Sequence, residues 1–508
     1  MKKRALISVS DKQGIVEVAR ALVQADVEII STGNTQKVLK EHGIQSMGIE
    51  EVTQMKEMFG GRLKTLSPYV FGGILYRRQD EMDVQDARVE GIFPIDYVIV
   101  NLYPFADTIA KPDCTFAQAI EQIDIGGPSL LRAAAKNHSS VTVVCCAEDY
   151  PELIDQLKSH KETTPMFRRL MAKKVFSLTA SYDAMIARYL SEDDFEDVLN
   201  LSYIKQDTLR YGENPHQKAA FYTPVNKDPY SLASAKQLAG KQLSYNNYLD
   251  TSSALAIVNE FSQPCVVAVK HTNPCGVALG QHIEEAFDKA YQSDPVSIFG
   301  GIVALNRPVT FEVAKKLSDI FLEVILAPSF EPQAFDLLSK KKNLRLLQLP
   351  LKNEMVSDVS MVTVSGGLLL QQIDQLSLRK EDCQTVTKRD VNPELWEEID
   401  FAYRIVKHVK SNAIVVTKEL ATVGIGCGQS NRIGAARLAL EQASFKAKGA
   451  VLASDAFFPM GDTVELAASY GIDTIVQPGG SLKDQDSIEA ADHAHIAMIF
   501  TNIRHFKH

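Results

Sequence analysis

The stretch RALISVSDKQGIVEVARALVQADVEIIST, residues 4–32, decides the fold class. It opens with an apolar run, residues 4–9, that ends in Ser10-Asp11-Lys12. A helical periodicity follows, with Ile15, Val16, Val18, Ala19 and Leu22 on one side. A second apolar run, residues 27–32, is closed by Gly33-Asn34-Thr35, and another helix follows. Apolar strands recur at DYVIVNLY (96–103) and VTVVCC (141–146). Apolar strands alternating with helices indicate a parallel sheet covered on both faces. Ligands of such sheets bind beyond the carboxyl ends of the strands. Ser10, Asp11, Gly33, Thr35 and Tyr103 all stand at such ends.

Further along, residues 165–191 read as mainly helical and run into the acidic stretch SEDDFED. The domain boundary is expected there, giving domains 1–198 and 199–508. The second resumes an α/β character, with strands expected at PCVVAVKH (264–271), GGIVAL (300–305), NAIVVT (412–417), GAVLAS (449–454) and HIAMIF (495–500). Its length suits two packed subdomains. No repeat period is expected.

The whole chain has 508 residues, 45% apolar and 23% charged, which are ordinary globular values. A net charge of −9 argues against a general nucleic-acid binder, which is usually basic. It leaves room for a local pocket that takes small anions. Seven cysteines, with Cys145 and Cys146 adjacent and no C-x-x-C, point to reduced thiols and a cytoplasmic protein. The first apolar run stops at Val9, too short for a signal peptide. No stretch approaches the ~18 apolar residues of a membrane span.

Several loops are polar in ways that a core does not explain. Arg62 and Lys64 follow Gly60-Gly61 closely. Asp124-Ile125-Gly126-Gly127-Pro128 precedes a helical run, where glycines can present free N–H groups to an anion. Residues 210–217, RYGENPHQ, gather a cation, an aromatic and two amides. Lys270 and His271 stand side by side at a strand end, where a lysine disfavours the charged imidazole and leaves it able to accept a proton. A surface histidine beside a surface lysine is the plainer alternative. Zinc deaminases carry H-x-E followed by P-C-x-x-C. Here Pro274-Cys275 lacks the second cysteine and His282-Ile283-Glu284 comes after it, so that class fails on motif order. Gly424-Ile-Gly426-Cys-Gly428 is not a dinucleotide fingerprint. These loops favour an anion pocket without naming a substrate.

Taken together, the loops form a collinear set: ALISVSDK, GRLKTL, VNLYPF, IDIGG, LRAAAKNH, LRYGENPHQ, KQLSYNN, AVKHTNPCG, SIFGG, KSNAIVV, GIGCGQSNR, SDAFFP and NIRHFKH. In that order, over almost the whole chain, they resemble the AICAR transformylase/IMP cyclohydrolase family of purine biosynthesis. The resemblance implies an α/β protein with a methylglyoxal-synthase-like, Rossmann-like N-terminal domain that carries the cyclohydrolase. It implies a C-terminal formyltransferase of two subdomains, cytidine-deaminase-like but without the zinc. It further implies a homodimer with transformylase sites at the subunit interface, and 10-formyltetrahydrofolate as co-substrate. No catalytic metal, redox cofactor, nucleic acid or membrane is implied.

By the same resemblance, His271 takes the proton of the AICAR amine and Lys270 stabilises the oxyanion. Arg210, Tyr211, Phe299, Gly300, Glu323, Asn412, Gln429, Arg432, Phe457, Arg504 and Phe506 match positions that bind the nucleotide and folate. In the N-terminal domain Lys64, Tyr103, Asp124 and Lys136 match catalytic positions, and Ser10, Lys12, Thr35 and Arg62 match nucleotide-binding ones. The family reads T-L-H-P-x-x-H-G-G where this chain has Ser67 and Phe71 in place of the two histidines. A formyltransferase whose N-terminal domain serves only as a nucleotide-binding or structural module is the alternative.

Overall fold

The computed structural model describes residues 2–225, 227–351 and 359–508. The chain divides into two compact units, Met1–Tyr203 and Ile204–His508.

In the first unit five strands form one sheet: β1 (Lys3–Ser8), β2 (Val27–Ser31), β3 (Met47–Gly48), β4 (Tyr97–Val100) and β5 (Thr142–Val144). All pairings are parallel, in the order β3-β2-β1-β4-β5. The strands are short and uniformly apolar, and Leu6, Ile7, Val98 and Ile99 are fully buried. This agrees with a sheet covered on both faces by helices. Helix Ile15–Gln24 buries Ile15, Val18, Ala19 and Leu22, the side predicted from its periodicity. The predicted helix near 165–191 is one helix, Pro165–Leu190, started by a Thr164 hydroxyl that accepts the Phe167 N–H and by a proline in its first turn. Strand order reverses between β1 and β4, so their carboxyl ends open the crevice in which such sheets bind ligands.

The second unit is built on a twelve-stranded mixed sheet. Its first half runs from edge strand Lys236–Ala239 through helix Tyr245–Val258 to the hairpin Cys265–Lys270/Asn273–Leu279. Three helices then alternate with strands Ile302–Leu305, Val324–Ala327 and Arg345–Gln348. The second half repeats that order from Gln384–Thr385 through helix Trp396–Val406 to the hairpin Ile414–Lys418/Ala421–Gly426, then strands Val451–Ser454, Thr474–Gln477 and Ala497–Phe500. The two hairpins meet antiparallel at the centre of the sheet, at Ala278 and Ala421. The unit is therefore an internal duplication, which corrects the expectation of no repeat. The letters that survive are few. Lys270 pairs with Lys418, Gly276 with Gly424, Gly280 with Gly428 and Gln281 with Gln429, all at one spacing.

Candidate functional site

At the carboxyl ends of β1 and β4 the Asn101 side chain ties the two loops together. Its Oδ1 accepts the backbone N–H of Ser10 and of Asp11, and its Nδ2 donates to the Asp11 carbonyl at 2.9 Å. Lys12 curls back onto the Val9 and Ser10 carbonyls, and its partial burial lowers its pKa. Thr35 is buried, and its hydroxyl donates to the Val9 carbonyl at 3.1 Å while facing the Val9 N–H. The expected nucleotide loop is thus a rigid polar rim in which Thr35 braces the chain.

The Gly126-Gly127 turn departs from expectation. Its N–H groups already hold an anion, the carboxylate of Asp124, which accepts Gly127 N–H at 2.8 Å together with the N–H of Gly126 and of Tyr103. Burial raises the Asp124 pKa and these three bonds pull against it. The Tyr182 hydroxyl accepts the Asp124 N–H at 2.8 Å and fixes the loop from the other side. A Cβ built on Gly126 would lie 3.3 Å from the Thr65 hydroxyl, so the Lys64-Thr65 segment lies against this turn. Lys64 pairs with Glu57 at 3.0 Å and Arg62 with Glu121 at 2.5 Å, and half-exposed Tyr103, on the chain that leaves β4, meets the Asp124 carboxylate through its backbone N–H. The structure therefore gathers Arg62, Lys64, Tyr103 and Asp124 at the start of helix Gly126–Lys136. Lys136 is exposed in the last turn of that helix, about 15 Å along the axis, and is not brought to the same place.

In the second unit the hairpin at the sheet centre turns through His271 and Thr272, with φ of 53° and 63°. Two consecutive left-handed residues make a two-residue hairpin of the primed kind, normally built from Gly or Asn. With a histidine and a threonine there, the turn is strained and needs support. Asp250, on helix Tyr245–Val258, supplies it by accepting the N–H of Thr272 at 2.7 Å and of His271 at 3.3 Å. Lys270 donates to the Phe299 carbonyl at 2.7 Å, Gly300 follows with φ of 73°, and the Phe299 ring lies 5.2 Å from that of Phe321. Glu323 donates its N–H to Gly301 and pairs through its carboxylate with buried Arg345 at 2.5 Å. Arg345 in turn donates to the Gln242 carbonyl, and the Gln242 side chain donates to the Thr208 carbonyl, which carries the chain to Arg210. Arg210 and Tyr211 are bonded to each other at 2.7 Å. Lys270, His271, Phe299, Gly300 and Glu323 therefore share one end of the first half, with Arg210 and Tyr211 reached through that chain of bonds.

The remaining expected residues gather around Ser411. Asn412 donates to the Gln429 carbonyl at 2.7 Å, and Ser411 exchanges hydrogen bonds with the backbone of Lys507. Arg504 lies over the Phe506 ring at 4.6 Å, and Phe457 is 39% exposed. Arg432 is different: it is buried and paired with buried Asp455, which also accepts the Ser411 hydroxyl at 2.5 Å. Its charge is committed inside the chain, where it shapes the Ser411-Asn412 turn. Asn101, Asp250 and Asn273 are structural partners that sequence reasoning did not single out. Two of them stand inside the quoted motifs VNLYPF and AVKHTNPCG, and a polar residue next to a site motif was the available signal.

A family model described as AICARFT/IMPCHase bienzyme matches residues 134–442, and one described as MGS-like domain matches residues 14–129. The chain is similar to the bifunctional purine biosynthesis protein PurH of Anoxybacillus flavithermus, 54% identical over 511 residues and covering 100% of both chains. The PurH protein of Halalkalibacterium halodurans is likewise 54% identical with 100% of each chain covered. Among solved structures, one described as the crystal structure of ForH is 32% identical, covers 36% of this chain and 95% of its own, and superposes with a TM-score of 0.34.

Proposed function

The chain belongs to the AICARFT/IMPCHase bienzyme family, and from that premise we infer that its two units carry two successive reactions. It is a bifunctional enzyme of purine biosynthesis, a formyltransferase acting on AICAR and a cyclohydrolase that forms IMP. The assignment of each step to particular residues is our proposal. The observation that carries it is the His271 turn, a strained and exposed histidine held beside an anchored lysine.

In this reading formyl transfer belongs to residues 199–508. The amine of AICAR attacks the formyl carbon of 10-formyltetrahydrofolate and its proton passes to His271; the bond from that carbon to N10 then breaks, N10 takes the proton from His271, and tetrahydrofolate leaves. A Lys270 ammonium has three donors. One rests on the Phe299 carbonyl, and the others are available to the oxyanion that forms on the formyl oxygen. Arg210, Tyr211, Phe299, Gly300, Glu323, Asn412, Gln429, Phe457, Arg504 and Phe506 hold the two substrates, and Arg432 acts behind them through Asp455. Ring closure belongs to residues 1–198. The carboxamide nitrogen attacks the formyl carbon of FAICAR and water leaves. Both groups lie on one molecule, so holding it folded is much of the catalysis. Lys64, Tyr103 and Asp124 surround the reacting end, and Ser10, Lys12, Thr35 and Arg62 form the nucleotide rim.

We also propose a homodimer in the cytoplasm, working without a catalytic metal. The antiparallel ribbon Val359–Val364/Gly367–Gln372 exposes Val362, Val364, Leu368 and Leu369. A two-stranded ribbon is marginal in water alone, and an apolar one needs a covering surface. All seven cysteines carry free thiols, which suits a reducing compartment. Among the described residues, no helix is long and apolar enough to cross a membrane.

The test is to follow conversion of AICAR to IMP by absorbance with 10-formyltetrahydrofolate, and to assay FAICAR closure separately. His271→Ala is expected to abolish formyl transfer and leave closure near normal. Equal loss of both in a folded variant would refute the assignment.

A further inference from the structure

The duplication in the second unit separates what the fold requires from what the reaction requires. The second hairpin repeats the first in detail. Its turn residues Glu419 and Leu420 also have positive φ, 57° and 55°. Its turn is also tied to a helix carboxylate, Glu398, which accepts the Leu420 N–H at 2.8 Å as Asp250 accepts the Thr272 N–H. Lys418 donates to the Lys448 carbonyl at 2.8 Å, as Lys270 donates to that of Phe299. Gly449 follows with φ of 74°, matching Gly300. The strained turn, its carboxylate and the anchored lysine are therefore properties of the fold, present where no histidine stands.

Where the first hairpin has His271 and, two residues on, Asn273, the second has Glu419 and Ala421. Asn273 is bonded on both sides. Its Nδ2 donates to the His271 carbonyl at 3.1 Å, and its Oδ1 accepts the Lys410 N–H at 3.0 Å. Lys410 leads directly into Ser411 and Asn412. One amide thus joins the histidine turn of the first half to the Ser411-Asn412 segment of the second.

We propose that Asn273 is a positioning residue for formyl transfer, locking the His271 turn to the Lys410–Asn412 segment so that base and substrate-holding residues keep one spacing. This rests on the assignment of His271 as the base. Asn273 touches neither substrate in this account. It acts through the backbone of His271, and a misplacement of about 1 Å costs a reaction of this kind about 100-fold.

The experiment compares Asn273→Ala, Asn273→Asp and His271→Ala in the full-length enzyme, with kcat and KM for AICAR, FAICAR closure, and folding by circular dichroism. Asn273→Ala installs the residue that the second hairpin carries. Its formyl-transfer kcat is expected to fall about 100-fold, with KM for AICAR and FAICAR closure unchanged. Asn273→Asp keeps the acceptor for Lys410 but replaces the donor to His271 by a carboxylate oxygen that faces the His271 carbonyl, so its kcat is expected to fall as well. A structural role would instead lower the stability of the second unit, read by circular dichroism and Trp396 fluorescence, and move KM for AICAR along with kcat, or alter nothing. Normal kcat in Asn273→Ala, with His271→Ala inactive, overturns the inference and leaves the base assignment standing. Full activity of His271→Ala overturns the base assignment itself. If Asn273→Ala does not fold, Asn273→Asp decides, since normal kcat there sinks the proposal and a reduced kcat with unchanged KM for AICAR in a folded second unit supports it.

Discussion

Ser67 shows what one side chain does when a family motif changes around it. It is buried, and its hydroxyl accepts the Tyr69 N–H at 3.2 Å, capping helix Pro68–Leu75. Phe71, one turn on, packs against the core of the first unit. Both positions therefore hold the helix in place, while Lys64, next to the Gly126 turn, pairs with the partly exposed Glu57. An ion pair this exposed is worth about 0–1 kcal/mol, so an incoming substrate can displace it. Two outcomes follow. Ser67→Ala lowers the stability of the first unit by about 1 kcal/mol, the usual worth of a cap, read by denaturant unfolding. Ser67→His with Phe71→His changes the rate of FAICAR closure modestly, whereas Lys64→Ala lowers it severely. Absence of closure in the natural protein, regained in the double-histidine variant, would place the chemistry at residues 67 and 71 instead.

Elements were legible to different degrees, for physical reasons. Strands β1, β2, β4 and β5 were readable because each is a continuous apolar run. The two-residue β3 carries no pattern at all, and strands Val324–Ala327 and Thr474–Gln477 passed unnoticed amid helices. The duplication escaped because a fold keeps burial and turn geometry, which many residues satisfy, and fixes letters only where space does. Gly424 is such a place: a Cβ there would sit 1.9 Å from the Ala439 carbonyl of helix Arg432–Ala443. Gly276 in the first hairpin is its counterpart, 2.2 Å from the Ala290 carbonyl. In neither case can a backbone oxygen step aside, so the helix must move off the sheet. Gly424→Ala and Gly276→Ala are each expected to destabilise the second unit by about 3 kcal/mol or more, with FAICAR closure retained. Unchanged denaturation midpoints would show that the helix shifts freely. The site was readable as loops in order along the chain, but not as a set of contacts. That the Gly126-Gly127 turn holds Asp124 rather than a ligand depends on how the loop closes on itself.

Across the whole molecule, the five-stranded sheet and its core lie in Met1–Tyr203, and the twelve-stranded sheet with its three cores lies in Ile204–His508. Stability can thus differ between units, and acid should find the second. There Glu260 is buried with Lys407 and His408, each 2.8 Å from its Oε1. Burial alone would raise the Glu260 carboxyl, but the His408 hydrogen bond and the Lys407 ammonium hold it down to about 2. Burial lowers the pKa of His408, so the positive charge facing Glu260 comes from buried Lys407 at 2.8 Å, with Arg404 farther off at 4.0 Å. Both shifts act in the same direction. Below about pH 6.5 the unfolded chain takes a proton that buried His408 refuses, and below about pH 4.3 it takes one that Glu260 refuses until about pH 2. The unfolded state binds more protons throughout that window, so stability falls as pH falls. The chain's one tryptophan, Trp396, packs against the core of the second unit and reports its unfolding alone, while FAICAR closure assayed after return to neutral pH reports the first. Trp396 fluorescence should show the second unit losing stability steadily between pH 6.5 and 3. Glu260→Gln should lower its stability at neutral pH by about 3–5 kcal/mol, because Lys407 is left buried without a counter-charge, and should flatten the loss below about pH 4.3. A Glu260→Gln protein as stable as the parent at pH 7, with the same acid slope, would mean that the buried cluster contributes nothing and that acid acts elsewhere.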